Sequence, residues 1–154
     1  MRKLMMLAVL MAATAGLSAI PGDLERVIDF DVSIRTLSEY VQAQEYDRID
    51  TERHFILEGV VASIQVFDPE PQSFQAIIEI VSSNWVGVER IEVHRVYVLV
   101  EGPQYAERLP ERLPTDPDPR IIRTNQRLLV VGPYIGTATL EAAEVPVVLA
   151  AALR

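Results

Sequence analysis

The chain has 154 residues, a formal charge of −8, no cysteine and a composition that is 49% hydrophobic. The hydrophobic share is that of a folded protein, not a disordered one, and the missing cysteine excludes disulfides, thiolate chemistry, cysteine metal sites and lipid attachment through an N-terminal cysteine. The negative charge repels phosphate backbones and anionic membrane surfaces on average, which disfavours nucleic acid as a partner.

The start of the chain has the three-part layout of an export signal. Arg2 and Lys3 supply positive charge, residues 4–11 (LMMLAVLM) an apolar block, and residues 12–19 (AATAGLSA) a small-residue cleavage zone. Cleavage after Ala19 is the first expectation; Ala13, Thr14 and Ala15 offer a second site. The uncharged run from Leu4 to Gly22 also approaches the length of a membrane anchor, but its second half is rich in small and polar residues. Residues 1–19 are therefore read as a signal peptide, placing the protein in the periplasm or outside the cell. No later segment is long and apolar enough to span a bilayer. Lys3 is the only lysine, so the mature chain carries about −10 with arginine as its sole strong cation.

Residues 20–50 read as a helical segment packed on the rest. Leu24, Val27 and Ile28 fall at helical spacing, as do Leu37, Tyr40 and Val41. Thr36 and Glu39 have capping-box spacing, which predicts a helix over 36–46. Residues 29–33 alternate polar and apolar, so a short extended stretch is equally consistent there.

Strand patterns begin at Phe55. Residues 55–67 (FILEGVVASIQVF) form the first, with Gly59 marking a bulge or bend. A turn at 68–71 leads to a second strand at 74–82, which Ser83, Asn84 and Trp85 break. Residues 88–100 (VERIEVHRVYVLV) form a third. Ile91 and Val93 are out of phase with Val96, Val98 and Val100, which predicts a bulge near Arg95 or a strand end buried on both faces. Residues 101–120 hold five of the ten prolines and a tandem Glu-Arg-Leu-Pro at 107–110 and 111–114. This excursion reads as linker-like surface, with room for one helical turn at 103–109. A fourth strand follows at 127–135, a turn at 136–140 and a last strand at 144–153, where Pro146 implies an edge position.

A helix followed by five strands resembles an OB-fold barrel over about residues 55–150. Three segments add to the resemblance: 57–61 (LEGVV), 126–136 (QRLLVVGPYIG) and 140–145 (LEAAEV). The chain departs from that pattern where the proline-rich excursion replaces the usual helix between strands three and four. The resemblance implies a mainly β protein with an N-terminal helix and a small five-stranded OB-like barrel at 51–154. It also implies an oligomer-binding module that uses the face of strands two and three with the adjoining loops. It supplies no catalytic residues.

The candidate chemistry is sparse. His54 and His94 lack a second histidine at helical metal-site spacing and read as strand residues with a wet imidazole tip. Asp68 with Glu70, and Asp116 with Asp118, stand on proline-rigid turns and read as solvated turns, not calcium loops. Ser63, Ser82 and Ser83 lack a nucleophile elbow. Glu79 and Glu92 fall on neighbouring strands, where a carboxylate pair could do acid–base work, although pairing with arginine is commoner. The candidate ligand-binding residues are Trp85, Arg90, Arg95, Tyr97, Tyr105 and Tyr134, since aromatic rings stack on sugars and bases while arginine forks onto carboxylate and phosphate. For Trp85, core filling is the expected role. No catalytic residue, metal or cofactor is assigned.

The function expected from these features is a non-catalytic exported binding module for a protein or an envelope polymer. The alternatives are a small secreted hydrolase with paired carboxylates, and a single-stranded nucleic-acid binder with a basic stripe at Arg90, Arg95, Arg123 and Arg127.

Overall fold

A computed structural model describes residues 26–116 and 118–154, so the leader lies outside the described residues. The order of elements is β1 (Ile28–Asp29), α1 (Ile34–Gln42), β2 (His54–Asp68), β3 (Gln75–Val86), β4 (Arg90–Glu101), α2 (Pro103–Ala106), β5 (Arg127–Leu140), β6 (Ala143–Leu149) and β7 (Ala152–Leu153). The protein is mainly β. Among the described residues seven strands form one sheet in the order β1-β2-β3-β4-β6-β5-β7, and a further β2–β5 pairing joins β2, β3, β4, β6 and β5 into a ring.

Period-two alternation builds the interior. Phe55, Leu57 and Val61 of β2, Ala76, Ile78 and Ile80 of β3, and Val96, Val98 and Val100 of β4 are all inaccessible to solvent. Leu128 and Val130 of β5 and Val148 of β6 complete the layer. Each such large side chain contributes about 1.5–3 kcal/mol on burial. Ile34, Leu37 and Val41 of α1 lie at helical spacing and join the same core, as do Tyr105, Leu109 and Ile122 from the excursion.

The long β2 serves three neighbours, the short β1 at His54 and Phe55 and two long strands. His54–Val60 pair with β5, and Val60–Asp68 pair with β3. The change is accommodated by register shifts between Val61 and Ser63 and between Val66 and Asp68, so the bulges fall beyond Gly59. Gly59 is a close-approach site instead: a methyl group there would stand 2.7 Å from Ile34 Cδ1 and 2.9 Å from the Val81 carbonyl oxygen.

Several local expectations are corrected. The helix runs from Ile34 to Gln42, starting two residues and ending four residues earlier than predicted, because Ser33 is the N-cap and accepts the Thr36 amide at 3.2 Å. Glu39 pairs with Arg35 at 2.7 Å and closes no capping box with Thr36. Ser83, Asn84 and Trp85 do not break β3; the chain turns at residues 87–89, where Gly87 takes φ +66°. The expected turn at 136–140 is strand, and the reversal lies at Glu141 and Ala142, both with positive φ.

The excursion is not a free linker. Leu109 of the first Glu-Arg-Leu-Pro copy is buried, whereas Leu113 of the second is exposed. The expectation that Pro146 marks an edge strand is corrected: β6 lies between β4 and β5, and only its first residues lack a β4 partner, since that pairing begins at Val147.

Candidate functional site

β3 and β4 pair without interruption from Gln75↔Glu101 to Val86↔Arg90. There is therefore no bulge near Arg95, and alternation holds along the whole hairpin. Because Val96, Val98 and Val100 point inward, Ile91 and Val93 point outward, where they are half exposed. The out-of-phase residues neither return to the core nor lie in a strand end buried on both faces. They form an apolar row on the outer face.

That row ends at Trp85, which stands opposite Ile91 and is 70% exposed. The expectation that Trp85 fills the core is corrected: it shares the outer face with Ile77, Glu79, Val81 and Ser83. Past Tyr97 and Val81 the hairpin runs beyond its neighbours, since β6 pairs with β4 only at Tyr97–Leu99 and β2–β3 pairing stops at Val60↔Val81. Among the described residues no further strand flanks the ribbon beyond these points.

The predicted site residues separate into groups. Trp85, Arg95 and Tyr97 share the outer face, and Arg95 Nη1 lies 3.6 Å from Glu79 Oε1. Glu79 also accepts the Ser63 hydroxyl at 3.0 Å. Tyr97 stands opposite Glu79; partial burial raises its hydroxyl pKa, and Glu79 adds to the rise. Arg90 opens β4 on the opposite face, where it is ion-paired with Glu92. Tyr134 is half-buried on β5, its pKa raised by burial and then by Glu144. Tyr105 does not belong to the site: its ring is buried in the core and its hydroxyl donates to the Ala151 carbonyl at 3.2 Å.

The acid–base candidates do not converge. Glu79 faces Tyr97 and Glu92 faces Asn84, on opposite faces of the hairpin, and each pairs with an arginine. His94 is buried on the inward face of β4, contrary to the wet tip expected of it, and neither ring nitrogen has a hydrogen-bond partner among the described residues. Among the described residues no group of three or more His, Asp or Glu side chains is placed to hold a metal ion. Asp118 is held by Arg120, which lowers its pKa to about 2.

The feature that sequence reading missed is a slot between α1, β4 and β6. Ser38, Gln42, Val93, Arg95, Glu141, Ala143, Glu144 and Val145 line a cavity of about 220 Å³. The Tyr46 hydroxyl donates to Glu144 at its margin. Pro146 was the available signal, because a residue without an N–H marks where β6 leaves β4.

The fold and this face define a mainly β protein with a partial ring of five strands and one projecting two-stranded ribbon. Solved structures similar to it are OB-fold-like. They include the protein PriB from Ralstonia solanacearum, at 13% identity over 66% of this chain and 94% of that one, with a TM-score of 0.39. They also include a small single-stranded DNA-binding protein from Streptomyces coelicolor, at 11% identity over 66% of this chain and 89% of that one, with a TM-score of 0.40. No protein-family model and no curated protein matches the chain. The Streptomyces coelicolor structure is that of a single-stranded DNA-binding protein, against which stands the expectation, drawn from net charge, that nucleic acid is a disfavoured partner. Net charge is a whole-surface average, whereas a ligand meets a local face.

Proposed function

We propose that the chain is a non-catalytic binding module, built on a five-stranded OB-like barrel, that takes a protein or polymer ligand across the outer face of the β3–β4 hairpin. One observation carries this reading: Trp85, Ile91 and Val93 form a continuous apolar row on the outer face of a ribbon that no described strand flanks past Val81 and Tyr97. Scattered exposed apolar residues are ordinary, but a contiguous row rimmed by charge is the pattern of an interaction surface. Export belongs to the same proposal and rests on residues 1–19. N-terminal sequencing of periplasmic protein should return a chain starting at Ile20 or Gly16, and an intact Met1 there would count against it.

Single-stranded nucleic acid is the second reading, favoured by the bare Trp85 ring and the Arg95 guanidinium on one face. A base stacked on an aromatic ring contributes about 1–3 kcal/mol. Trp85 is the sole tryptophan, so its emission reports on this face directly. Titration with a thymidine oligomer should quench Trp85, with affinity falling as salt rises, if nucleic acid is the ligand. Quenching by a protein or polymer partner, with no response to the oligomer, selects the first reading. Ligand binding that is unchanged in Trp85→Ala and Val93→Lys would remove the hairpin face from the function altogether.

A further inference from the structure

From Arg90 to Val96, β4 is paired with β3 on one side and with no described strand on the other. Extending the β4–β6 register downward from Tyr97↔Val147 would bring Val93 and Arg95 beside Ala143 and Val145, yet the two strands part there and enclose the slot of about 220 Å³. Pro146 explains the parting, since it has no N–H to offer β4. The result is an unpaired sheet edge whose outer face carries Ile91 and Val93, with Ser38 and Gln42 of α1 lining one side of the slot beside it and the carboxylates of Glu141 and Glu144 on the far wall. An exposed edge of this kind is a template for an added strand.

Resting on the reading that this hairpin is the contact surface, we infer that the occupant is an extended basic segment of another protein, which adds as a strand to the β4 edge at Arg90–Val96. Main-chain hydrogen bonds to the edge would hold it, as in strand addition generally. Alternate apolar side chains would lie over Ile91 and Val93, next to Trp85. Cationic side chains would meet Glu141 and Glu144, both of which are exposed. Charge decides between occupants. A second copy of this chain brings the same net negative charge, so long-range repulsion opposes it, whereas a basic segment is attracted.

The test uses the intact protein and three blocked octapeptides: one alternating valine and lysine, the same peptide N-methylated at alternate residues, and one alternating valine and glutamate. Trp85 emission and hydrogen exchange of the 91–95 amides are read together. The valine–lysine peptide should shift the emission, slow exchange in 91–95 at least tenfold, and bind more weakly as salt rises. The N-methylated and glutamate peptides should fail. Glu141→Gln combined with Glu144→Gln should weaken binding about fivefold or more, while Val93→Lys, on the exposed face, should weaken it without unfolding the protein. Equal binding of the N-methylated or glutamate peptide overturns the proposal. So does an emission change without protection at 91–95, although that result leaves the hairpin face standing. A response to the thymidine oligomer but to no peptide also overturns it, in favour of nucleic acid. Protection that grows with protein concentration alone assigns the edge to a second copy. No change with any probe removes both the edge proposal and the hairpin reading.

Discussion

Gly132 shows how little room one backbone position can leave. A methyl group there would lie 1.8 Å from the Leu149 carbonyl oxygen and 3.2 Å from Val148 Cγ1. The first obstacle is backbone, so β5 and β6 would have to separate. Gly132→Ala should cost about 3 kcal/mol or more, the upper end of overpacking penalties. At Gly87 nothing lies within 4 Å of the added methyl and only φ +66° opposes it. Gly87→Ala should therefore cost about 1–2 kcal/mol, the left-handed penalty alone. Urea unfolding of the two variants checks the contrast. At Asp118, hydrogen bonds from the Arg120 side chain and then its amide hold the carboxyl at about 2. The folded pKa lies below the unfolded value of about 3.9, so the stabilisation is complete above that value and is lost as pH falls through the folded one. The pair is exposed, so the effect is local to its turn. NMR titration should place Asp118 near 2, and Arg120→Gln should return it towards the ordinary carboxylate range.

At the scale of elements, identical sequence does not mean identical role. The two Glu-Arg-Leu-Pro copies differ in that Leu109 is 1% exposed and Leu113 is 61% exposed. Leu109→Ala should cost about 2–5 kcal/mol, as for other buried leucines. Leu113→Ala should stay within about 0.5 kcal/mol, as for exposed positions. Thermal unfolding of both variants measures whether the excursion is part of the core. Nothing in the repeat itself distinguishes the copies, because burial of Leu109 depends on where Pro103–Ala106 directs the chain. The strands were legible because β-branched alternation is a local signal. Their ends were not: Ser83 and Asn84 look like a break, yet continuous pairing with Glu92 and Val93 carries β3 to Val86. The candidate site was legible for Trp85, Arg95 and Tyr97, which one strand pair brings together. Tyr105 was misplaced because sequence cannot tell a buried tyrosine with a hydroxyl partner from an exposed one.

At the scale of the molecule, α1, the ring of strands and the excursion all contribute to one buried cluster. A shared core couples their loss, so unfolding should be a single cooperative transition. Leu37 on α1 and Ile78 on β3 are both fully buried but lie on different elements. Leu37→Ala and Ile78→Ala should each cost about 2–5 kcal/mol and lower the same transition. Far-UV circular dichroism is the appropriate probe. Trp85 is already 70% exposed in the folded state, so its emission should change little on unfolding and would understate the event. Separate helix and strand transitions in Leu37→Ala would show that α1 is docked and not integral. A single lowered transition would place α1 within the cooperative unit, with the wall it lends to the Ser38–Val93–Glu144 slot as firm as the strands themselves. The β4 edge then meets its ligand as a preformed surface, and affinity there is not spent on ordering the site.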